Sequence, residues 1–334
     1  MEQSKSVRSK GRLEGEGYMK TKYTKFVIAS GFFALLGMFF IVFGIVINEF
    51  KLLSKENVGF FPHNQQFSIE RSEKIRFGTV RSFSIDGKAA ETIPILTYHR
   101  IIEKSEIKKR HYINGDINSM IVLKEDFEKQ MDYLHENDYV TLTLNELYLF
   151  LTNEIEIPEK SVVLTFDDGY KDNFVEAYPI LKKHDFNAVN FIITGAITKK
   201  VYPFTPEHVQ YFSLKELNKG SDVFEYQSHT YSYHRREKNS HSQSESFLYT
   251  RTNEQVYEDI EISIHHLNGE NFAFAYPYGE YLPSTIEIVK DLGFKMAFTV
   301  ENRVATREDH IYEIPRYSVL YKTTFKEFKE YVGN

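Results

Sequence analysis

The sequence contains no cysteine and no tryptophan among its 334 residues. Without cysteine the chain has neither a disulfide framework nor a thiolate metal site, so any bound metal must be held by histidine and carboxylate side chains. A basic excess is also missing, because the formal net charge is −6. This charge gives no reason to expect nucleic acid as a partner. Hydrophobic residues nevertheless make up 42% of the chain, which is enough for a sizeable core.

Charged residues are absent from one long stretch, residues 26–48, which is mostly apolar. A helix that spans a bilayer needs about 20 such residues, so we predict a transmembrane anchor at 26–48 in contact with the lipid bilayer. A buried core helix and a cleaved signal peptide are the alternatives. The run is longer than the apolar region of about 7–15 residues that a signal peptide usually has. Residues 1–25 carry seven Lys or Arg against three Glu, which predicts a cytoplasmic tail and an extracellular location for everything after residue 48.

The rest of the chain divides into a weakly periodic part and a strongly periodic part. We interpret residues 49–90 as a stalk or linker and residues 91–334 as a catalytic domain. In the second part, short apolar runs typical of buried strands alternate with amphipathic helical patterns. About seven strands alternating with helices predict an α/β fold, namely a (β/α) barrel that is distorted or incomplete.

Two adjacent carboxylates end the most apolar of these predicted strands, in the run Ser-Val-Val-Leu-Thr-Phe-Asp-Asp-Gly-Tyr that begins at Ser161. In parallel α/β folds the chemistry lies at the carboxyl ends of the strands. Neighbouring residues at a strand end point in different directions, so one of Asp167 and Asp168 can hold a metal while the other accepts a proton. The alternative is an ordinary Asp-Gly turn that closes a strand.

A pair of histidines follows another predicted strand. His229 and His234 are five positions apart, which fits neither one face of a helix nor one face of a strand. They converge only if the chain curls after the strand, and two exposed loop histidines are the alternative. Together with Asp168 they form a His-His-Asp set, which suits zinc and other divalent metals.

Two further strand ends carry polar or turn-forming residues. The sequence Tyr276-Pro277-Tyr278-Gly279 combines a fixed turn with a glycine that permits close backbone approach, so the Tyr278 N–H is a candidate oxyanion donor. A simple Pro-x-Gly turn is the alternative. His99 follows the first barrel strand, and a general-acid role is open to it if it faces Asp167.

These motifs together resemble those of the polysaccharide deacetylases of carbohydrate esterase family 4. The resemblance covers about residues 90–320 and depends on three runs: Thr165-Phe166-Asp167-Asp168-Gly169, Ser228-His229-Thr230 with His234, and Tyr276-Pro277-Tyr278-Gly279. The five-residue histidine spacing, and a Tyr-His dipeptide placed before the Asp-Asp motif, resemble the circularly permuted arrangement of the poly-β-1,6-N-acetylglucosamine deacetylases of biofilm systems.

The resemblance implies a role for each matched residue. Asp167 would be the general base and His99 the general acid. Asp168, His229 and His234 would bind the metal, which is expected to be zinc, with nickel, cobalt and iron as alternatives. Tyr278 would complete the oxyanion hole through its backbone. The arginine that often precedes the Pro-Tyr-Gly motif is replaced by Ala275, and Arg316 is a candidate to tune Asp167 in its place.

The expected activity is removal of acetyl groups from N-acetylglucosamine residues of a surface polysaccharide, most directly the β-1,6-linked polymer. A peptidoglycan or chitin-type β-1,4 substrate and an inactive, tethered glycan-binding module are the alternatives. A polysaccharide synthase complex is an expected partner. Pro277 is a candidate for substrate binding. Several tyrosines are candidates to stack on sugar rings, with packing at the barrel rim as the equal alternative for each: Tyr170, Tyr231, Tyr233, Tyr276 and Tyr281. The other candidates for the acid are His111, His241 and His310.

Overall fold

A computed structural model of the chain describes residues 31, 36–40, 60–69, 80–85, 87–238 and 240–333. Residues 36–40 are helical. Within the described ranges, no helix combines the length and the apolar character that crossing a membrane requires. The predicted tail at 1–25 and most of the predicted anchor at 26–48 lie outside these ranges.

The centre of the domain is a curled parallel sheet. Its strands are β1 Ile95–Tyr98, β2 Val140–Thr141, β3 Ser161–Asp168, β4 Ala188–Ile192, β5 Phe224–Ser228, β6 Ala273–Ala275, β7 Met296–Phe298 and β8 Tyr317–Ser318. Seven of them lie in the order β7-β6-β5-β4-β3-β1-β8, and β2 pairs with the start of β3. An isolated bridge joins Phe298 of β7 to Ile314, so the segment that leads into β8 contacts both edges of the sheet. This arrangement confirms the predicted seven-stranded (β/α) barrel.

Helices cover the outside of this sheet. They are α1 Lys124–Glu136, α2 Leu144–Leu151, α3 Tyr178–Lys183, α4 Leu214–Gly220, α5 Phe247–Thr250, α6 Asn253–His266, α7 Pro283–Asp291 and α8 Phe325–Tyr331. Hydroxyl side chains cap α2, α4, α6 and α8, each with a Glu or Gln that completes a capping box. The helix α7 begins at Pro283, because proline suits a first helical position, and the Thr285 hydroxyl accepts the Leu282 N–H.

Four short strand pairs in the described part of the chain lie outside the central sheet. They are Thr92–Ile93 with Ala305–Thr306, Arg100–Ile102 with Ile121–Leu123, Tyr112–Ile113 with Asp116–Ile117, and Arg236–Lys238 with Ser244–Ser246. The last pair lies directly after the second of the two spaced histidines.

Alternation along β3 decides where the two aspartates point. All eight residues of this strand are buried. Val163 packs in the core inside the barrel, whereas Val162 and Leu164 pack in the core beneath the helices. Because successive side chains on a strand face opposite sides, Asp167 continues the inward row of Val163 and Asp168 lies on the other side.

Part of the predicted stalk at 49–90 packs on the barrel, while the boundary at residue 91 stays a prediction. The compact unit begins at Phe60. The rings of Phe61 and Phe67 are buried, with centroids 4.8 Å apart and 5.1 and 5.2 Å from the ring of His266. The Phe61 N–H donates to the Gly195 carbonyl, at 2.7 Å. Residues 60–69 therefore pack on the barrel, although their sequence has no helical or strand period that would predict it.

Candidate active site

The carboxyl ends of neighbouring strands bring the candidate residues to one face of the barrel. Asp167 and Asp168 end β3, His99 follows the adjacent β1, and His229 follows β5. Arg316 immediately precedes β8, at the other side of β1. Parallel strands place the carboxyl ends of β1, β3 and β5 together, which is why residues far apart in the sequence meet here.

Asp167 is held by a buried arginine. Arg316 donates one N–H to each carboxylate oxygen of Asp167, both at 2.8 Å, and the two side chains are 0% and 3% exposed. The same guanidinium donates to the Thr299 carbonyl at 2.9 Å, which fixes its orientation. Burial raises the pKa of Asp167, but the charge and hydrogen bonds of Arg316, together with the nearby His229 and His99, outweigh burial and hold this pKa well below its usual range. Asp167 is therefore a carboxylate throughout the neutral range.

At Asp168 the backbone leaves the direction of strand β3 in a left-handed turn. Asp168 has φ +74° and Gly169 has φ +75°. Aspartate tolerates this region better than most residues. A Cβ on Gly169 would lie 2.9 Å from Cγ2 of Ile192 on the neighbouring strand, so only glycine fits there. The turn directs the Asp168 carboxylate to the two histidines after β5.

Asp168, His229 and His234 form the one cluster of potential metal ligands found in the described part of the chain, with ligand atoms within 4.8 Å of one another. Nε2 of His234 lies 3.1 Å from Asp168 Oδ1, and Nε2 of His229 lies 3.6 Å from it. The Nδ1–H of His229 donates to the Ala275 carbonyl at 2.7 Å, so Nε2 carries the free lone pair.

This cluster fits a divalent metal. Asp168 Oδ1 is buried and has no hydrogen-bond partner among the described residues, as expected for an oxygen that accepts a cation. Burial lowers the pKa of His229 to about 4, so the imidazole is neutral at physiological pH. For Asp168, burial raises the pKa, but the nearby histidines outweigh burial and lower it overall. Two imidazoles and one carboxylate are the donor set of a catalytic zinc-type site.

His99 lies on the other side of the aspartate pair. Tyr98 of β1 pairs with Phe166 of β3, so the residues that follow them, His99 and Asp167, lie side by side. His99 also lowers the pKa of both Asp167 and Asp168. Its backbone carbonyl accepts the Asn173 side-chain amide at 2.6 Å, and its Nδ1 is buried without a partner in the described structure.

The rival histidines lie elsewhere. His111 is buried, with its two ring nitrogens bonded to the Lys108 N–H and the Pro206 carbonyl. His241 and His310 are exposed, and His310 is paired with Glu313 at 3.1 Å. Of the candidates for the acid, His99 is the one that the structure places beside both aspartates.

The Tyr278 turn borders the metal cluster. Tyr278 has φ +60°, and the residue is 37% exposed. The centroid of that ring lies 4.3 Å from the His234 ring, and the Arg236 guanidinium carbon lies 4.9 Å from it. Arg236 also pairs with Glu280 at 2.7 Å. The short strand pair that starts at Arg236 therefore contributes to the rim of the site.

The predicted sugar-binding residues differ in their burial and in their protein contacts. The Tyr276 ring is fully buried, and its hydroxyl donates to the Tyr312 carbonyl at 3.0 Å, so stacking on a sugar is wrong for this residue. Pro277 is buried as well. Tyr170 is half-buried beside Asp168 and stacks on Tyr211, with centroids 5.5 Å apart.

Tyr231 is half-buried, with its ring centroid 5.3 Å from that of His266 and 5.5 Å from that of Phe60. Of the other two candidates, Tyr233 packs against Phe247, and Tyr281 stacks on Tyr276. These three rings thus have protein partners, and stacking on a sugar stays a prediction for them and for Tyr170.

Sequence reasoning missed a set of buried polar residues on α6. Asp259, Ser263 and His266 form a polar stripe along the buried face of this helix. The Asp259 carboxylate accepts hydrogen bonds from the loop between His229 and His234. The signal was present in the sequence, because three polar residues spaced four and three apart lie among apolar residues of the same helical face.

Comparisons with known proteins agree with this site. The polysaccharide deacetylase family model matches residues 154–297, which include Asp167, Asp168, His229, His234 and Tyr278. Poly-β-1,6-N-acetyl-D-glucosamine N-deacetylase from several strains of Staphylococcus aureus is 30% identical over 229 residues, which cover 66% of this chain and 76% of the relative. His99 and Arg316 lie outside the range that the family model matches.

Two solved structures share the fold. The Streptococcus pyogenes deacetylase PplD, solved in complex with acetate, aligns with a TM-score of 0.60 at 25% identity and covers 73% of this chain and 99% of its own. IcaB from Ammonifex degensii aligns with a TM-score of 0.59 at 25% identity and covers 73% of this chain and 98% of its own.

Proposed function

The chain belongs to the polysaccharide deacetylase family, and from this premise we propose that it is a metal-dependent N-deacetylase of poly-β-1,6-N-acetylglucosamine. An enzyme of this family is a hydrolase that acts on amide bonds. The β-1,6 linkage is supported by the five-residue spacing of His229 and His234 and by the Staphylococcus aureus relatives, whose name gives that substrate.

One observation carries the proposal: an arginine-bound carboxylate lies beside a His-His-Asp cluster. Asp167 is buried, ionised and joined to Arg316, while Asp168 next to it faces the two histidines. A purely glycan-binding module has no need for a buried carboxylate of depressed pKa next to potential metal ligands, and such perturbed groups cluster at catalytic sites.

The chain's own residues divide the chemistry of amide hydrolysis. Asp168, His229 and His234 would hold a divalent ion, with zinc as the first choice because histidine and carboxylate are its usual ligands when cysteine is absent. When bound, such an ion would polarise the acetamide carbonyl and lower the pKa of a water molecule. Asp167 accepts the proton of the attacking water, and Arg316 keeps the carboxylate oriented and ionised.

His99 supplies the second proton. An amine is a poor leaving group unless it is protonated as the C–N bond breaks. His99 lies close to both aspartates and has a buried, unpartnered Nδ1, so we assign it this step. The Tyr278 backbone N–H donates to the oxygen that becomes negative. Acetate and a glucosamine residue are the products.

Acetate release from defined oligomers tests this function. The purified protein is assayed on β-1,6- and β-1,4-linked N-acetylglucosamine oligomers, after chelation and again with Zn²⁺ added. We expect acetate from the β-1,6 oligomers, its loss with chelator and its return with Zn²⁺. Preference for the β-1,4 oligomers would refute the substrate, and no acetate from either would refute the activity. His234→Ala should abolish turnover. His265 is an exposed histidine on α6, so His265→Ala should not abolish turnover.

We also propose that residues 26–48 anchor the enzyme in the cell membrane, with residues 1–25 in the cytoplasm, the catalytic domain outside and a polysaccharide synthase as a neighbour. The support is the uncharged run and its basic flank. The absence of cysteine gives a clean test, because Ser6→Cys and Ser240→Cys each introduce a single thiol. In intact cells a membrane-impermeant maleimide should label the second variant alone, and equal labelling of both would refute the topology.

A further inference from the structure

The loop between the two histidine ligands has a shape that its sequence does not favour. Five residues of extended strand would separate His229 and His234 by about 16 Å. Their ring centroids are 4.7 Å apart. The curl passes through Thr230, which has φ +76°. A β-branched residue in the left-handed region is strained and persists only where its surroundings hold it.

Asp259 on α6 holds this curl directly. Its Oδ1 accepts the Tyr231 N–H at 2.9 Å. Its Oδ2 accepts both the N–H and the hydroxyl of Ser232, at 2.9 and 2.8 Å. Asp259 is 3% exposed. Three donors from two consecutive residues converge on one buried carboxylate, so these bonds fix the direction in which the chain leaves Thr230.

Ser263 and His266, on the same buried face of α6 as Asp259, also support the curl. The hydroxyl of Ser263 bonds that of Ser228 at 2.5 Å, and the Ser228 oxygen accepts the Thr230 N–H at 3.2 Å. His266 Nδ1 bonds the hydroxyl of Thr194 at 3.1 Å, and the Thr194 N–H donates to the Thr230 carbonyl at 3.1 Å. The polar stripe on α6 therefore contacts the curl at several points along its length.

We propose that Asp259 is a positioning residue for the metal site. Its carboxylate curls residues 230–232 so that His234 faces Asp168 beside His229. Asp259 is not itself one of the clustered ligands, which are Asp168, His229 and His234. This inference rests on the proposed function, because it assumes that the cluster binds a divalent ion. Partners that orient metal ligands typically contribute about 10–100-fold to metal affinity.

The test is the Zn²⁺ affinity of Asp259→Asn, measured on the purified full-length protein by competition with a chromophoric chelator. Asparagine has the same size and keeps one acceptor oxygen, but its NH₂ group faces donors of the loop. We expect about 10–100-fold weaker Zn²⁺ binding. Ser232→Ala, which removes one of the three bonds, should weaken binding less.

Asp309→Asn is the matched control. The Asp309 carboxylate also accepts a backbone N–H, from Thr306 at 2.7 Å, in a loop that includes no ligand of the cluster. We expect this variant to bind Zn²⁺ like the unaltered protein even if its melting temperature falls.

Wild-type Zn²⁺ affinity in Asp259→Asn would overturn the inference and leave the proposed function intact. If Asp259→Asn does not fold, wild-type affinity in Ser232→Ala would overturn it instead. Absence of Zn²⁺ binding by the unaltered protein would overturn the proposed function and, with it, this inference.

Discussion

Replacing Arg316 by methionine tests how the general base is kept ionised. Methionine has a similar length but no charge and no donors. The change removes both 2.8 Å hydrogen bonds to Asp167 and the bond to the Thr299 carbonyl. The carboxylate is then left 2% exposed without its cation. Arg316→Met therefore removes the strongest influence that opposes the effect of burial on Asp167.

The direction of the effect follows from the opposing influences on Asp167. Burial raises its pKa, and Arg316 is the strongest influence that lowers it. An adjacent arginine typically lowers the pKa of an aspartate by about 1–3 units. Because activity needs the ionised carboxylate, the acid limb of kcat/KM should move upward by about 1–3 pH units in the variant. Breaking a buried ion pair also typically destabilises the fold by about 3–5 kcal/mol.

The assay is the pH profile of kcat/KM for acetate release with saturating Zn²⁺. Arg81→Met is the matched control, because Arg81 makes a two-point contact with the buried carboxylate of Glu146, at 2.8 and 2.6 Å, away from the strand ends that carry the site. We expect the control to lower the melting temperature without moving the acid limb. An acid limb that stays in place in Arg316→Met, despite a lower melting temperature, would refute the assignment of Asp167 as the base tuned by Arg316.

Three further outcomes are expected. Asp167→Asn should bind Zn²⁺ normally and lose activity by about 10²–10⁴-fold, and full activity would exclude Asp167 as the base. His99→Ala should lose most turnover on N-acetyl oligomers but less on an acetyl ester with a good leaving group, and equal losses would remove the acid role. Burial raises the pKa of Glu225 to about 8, above the ordinary value of about 4.3. The free energy of unfolding should therefore fall as the pH rises between these two values, by up to about 1.4 kcal/mol per pH unit. Glu225→Gln, measured by melting temperature against pH, should flatten this fall, and an unchanged slope would contradict the reasoning.

Local patterns in the sequence predicted the barrel and most of its site. The alternation of apolar runs and amphipathic stretches depends on spacing within about ten residues, which is how strands and helices bury one face. The position of Asp167 and Asp168 at a strand end was equally local. Because parallel strands end on the same face, the sequence also predicted that His99, His229 and Asp168 lie on one side of the barrel.

Contacts between distant residues were decided by the tertiary structure alone. Arg316 is 149 residues from Asp167, and the sequence named it as a candidate partner without showing that the two side chains meet. The Tyr276 ring points into the core, whereas two residues later the left-handed Tyr278 turns its ring to the rim. The packing of residues 60–69 on the barrel likewise has no periodic signal.

The physical reason is that side-chain direction at a strand end depends on a few backbone dihedrals that remote groups impose. Asp168 and Thr230 adopt positive φ, and Thr230 is held in it by hydrogen bonds from other elements. The sequence by itself determined which chemical groups meet at this face of the barrel. The tertiary structure decided, through Asp259 and Arg316, how the loop between His229 and His234 and the Asp167 carboxylate are oriented there.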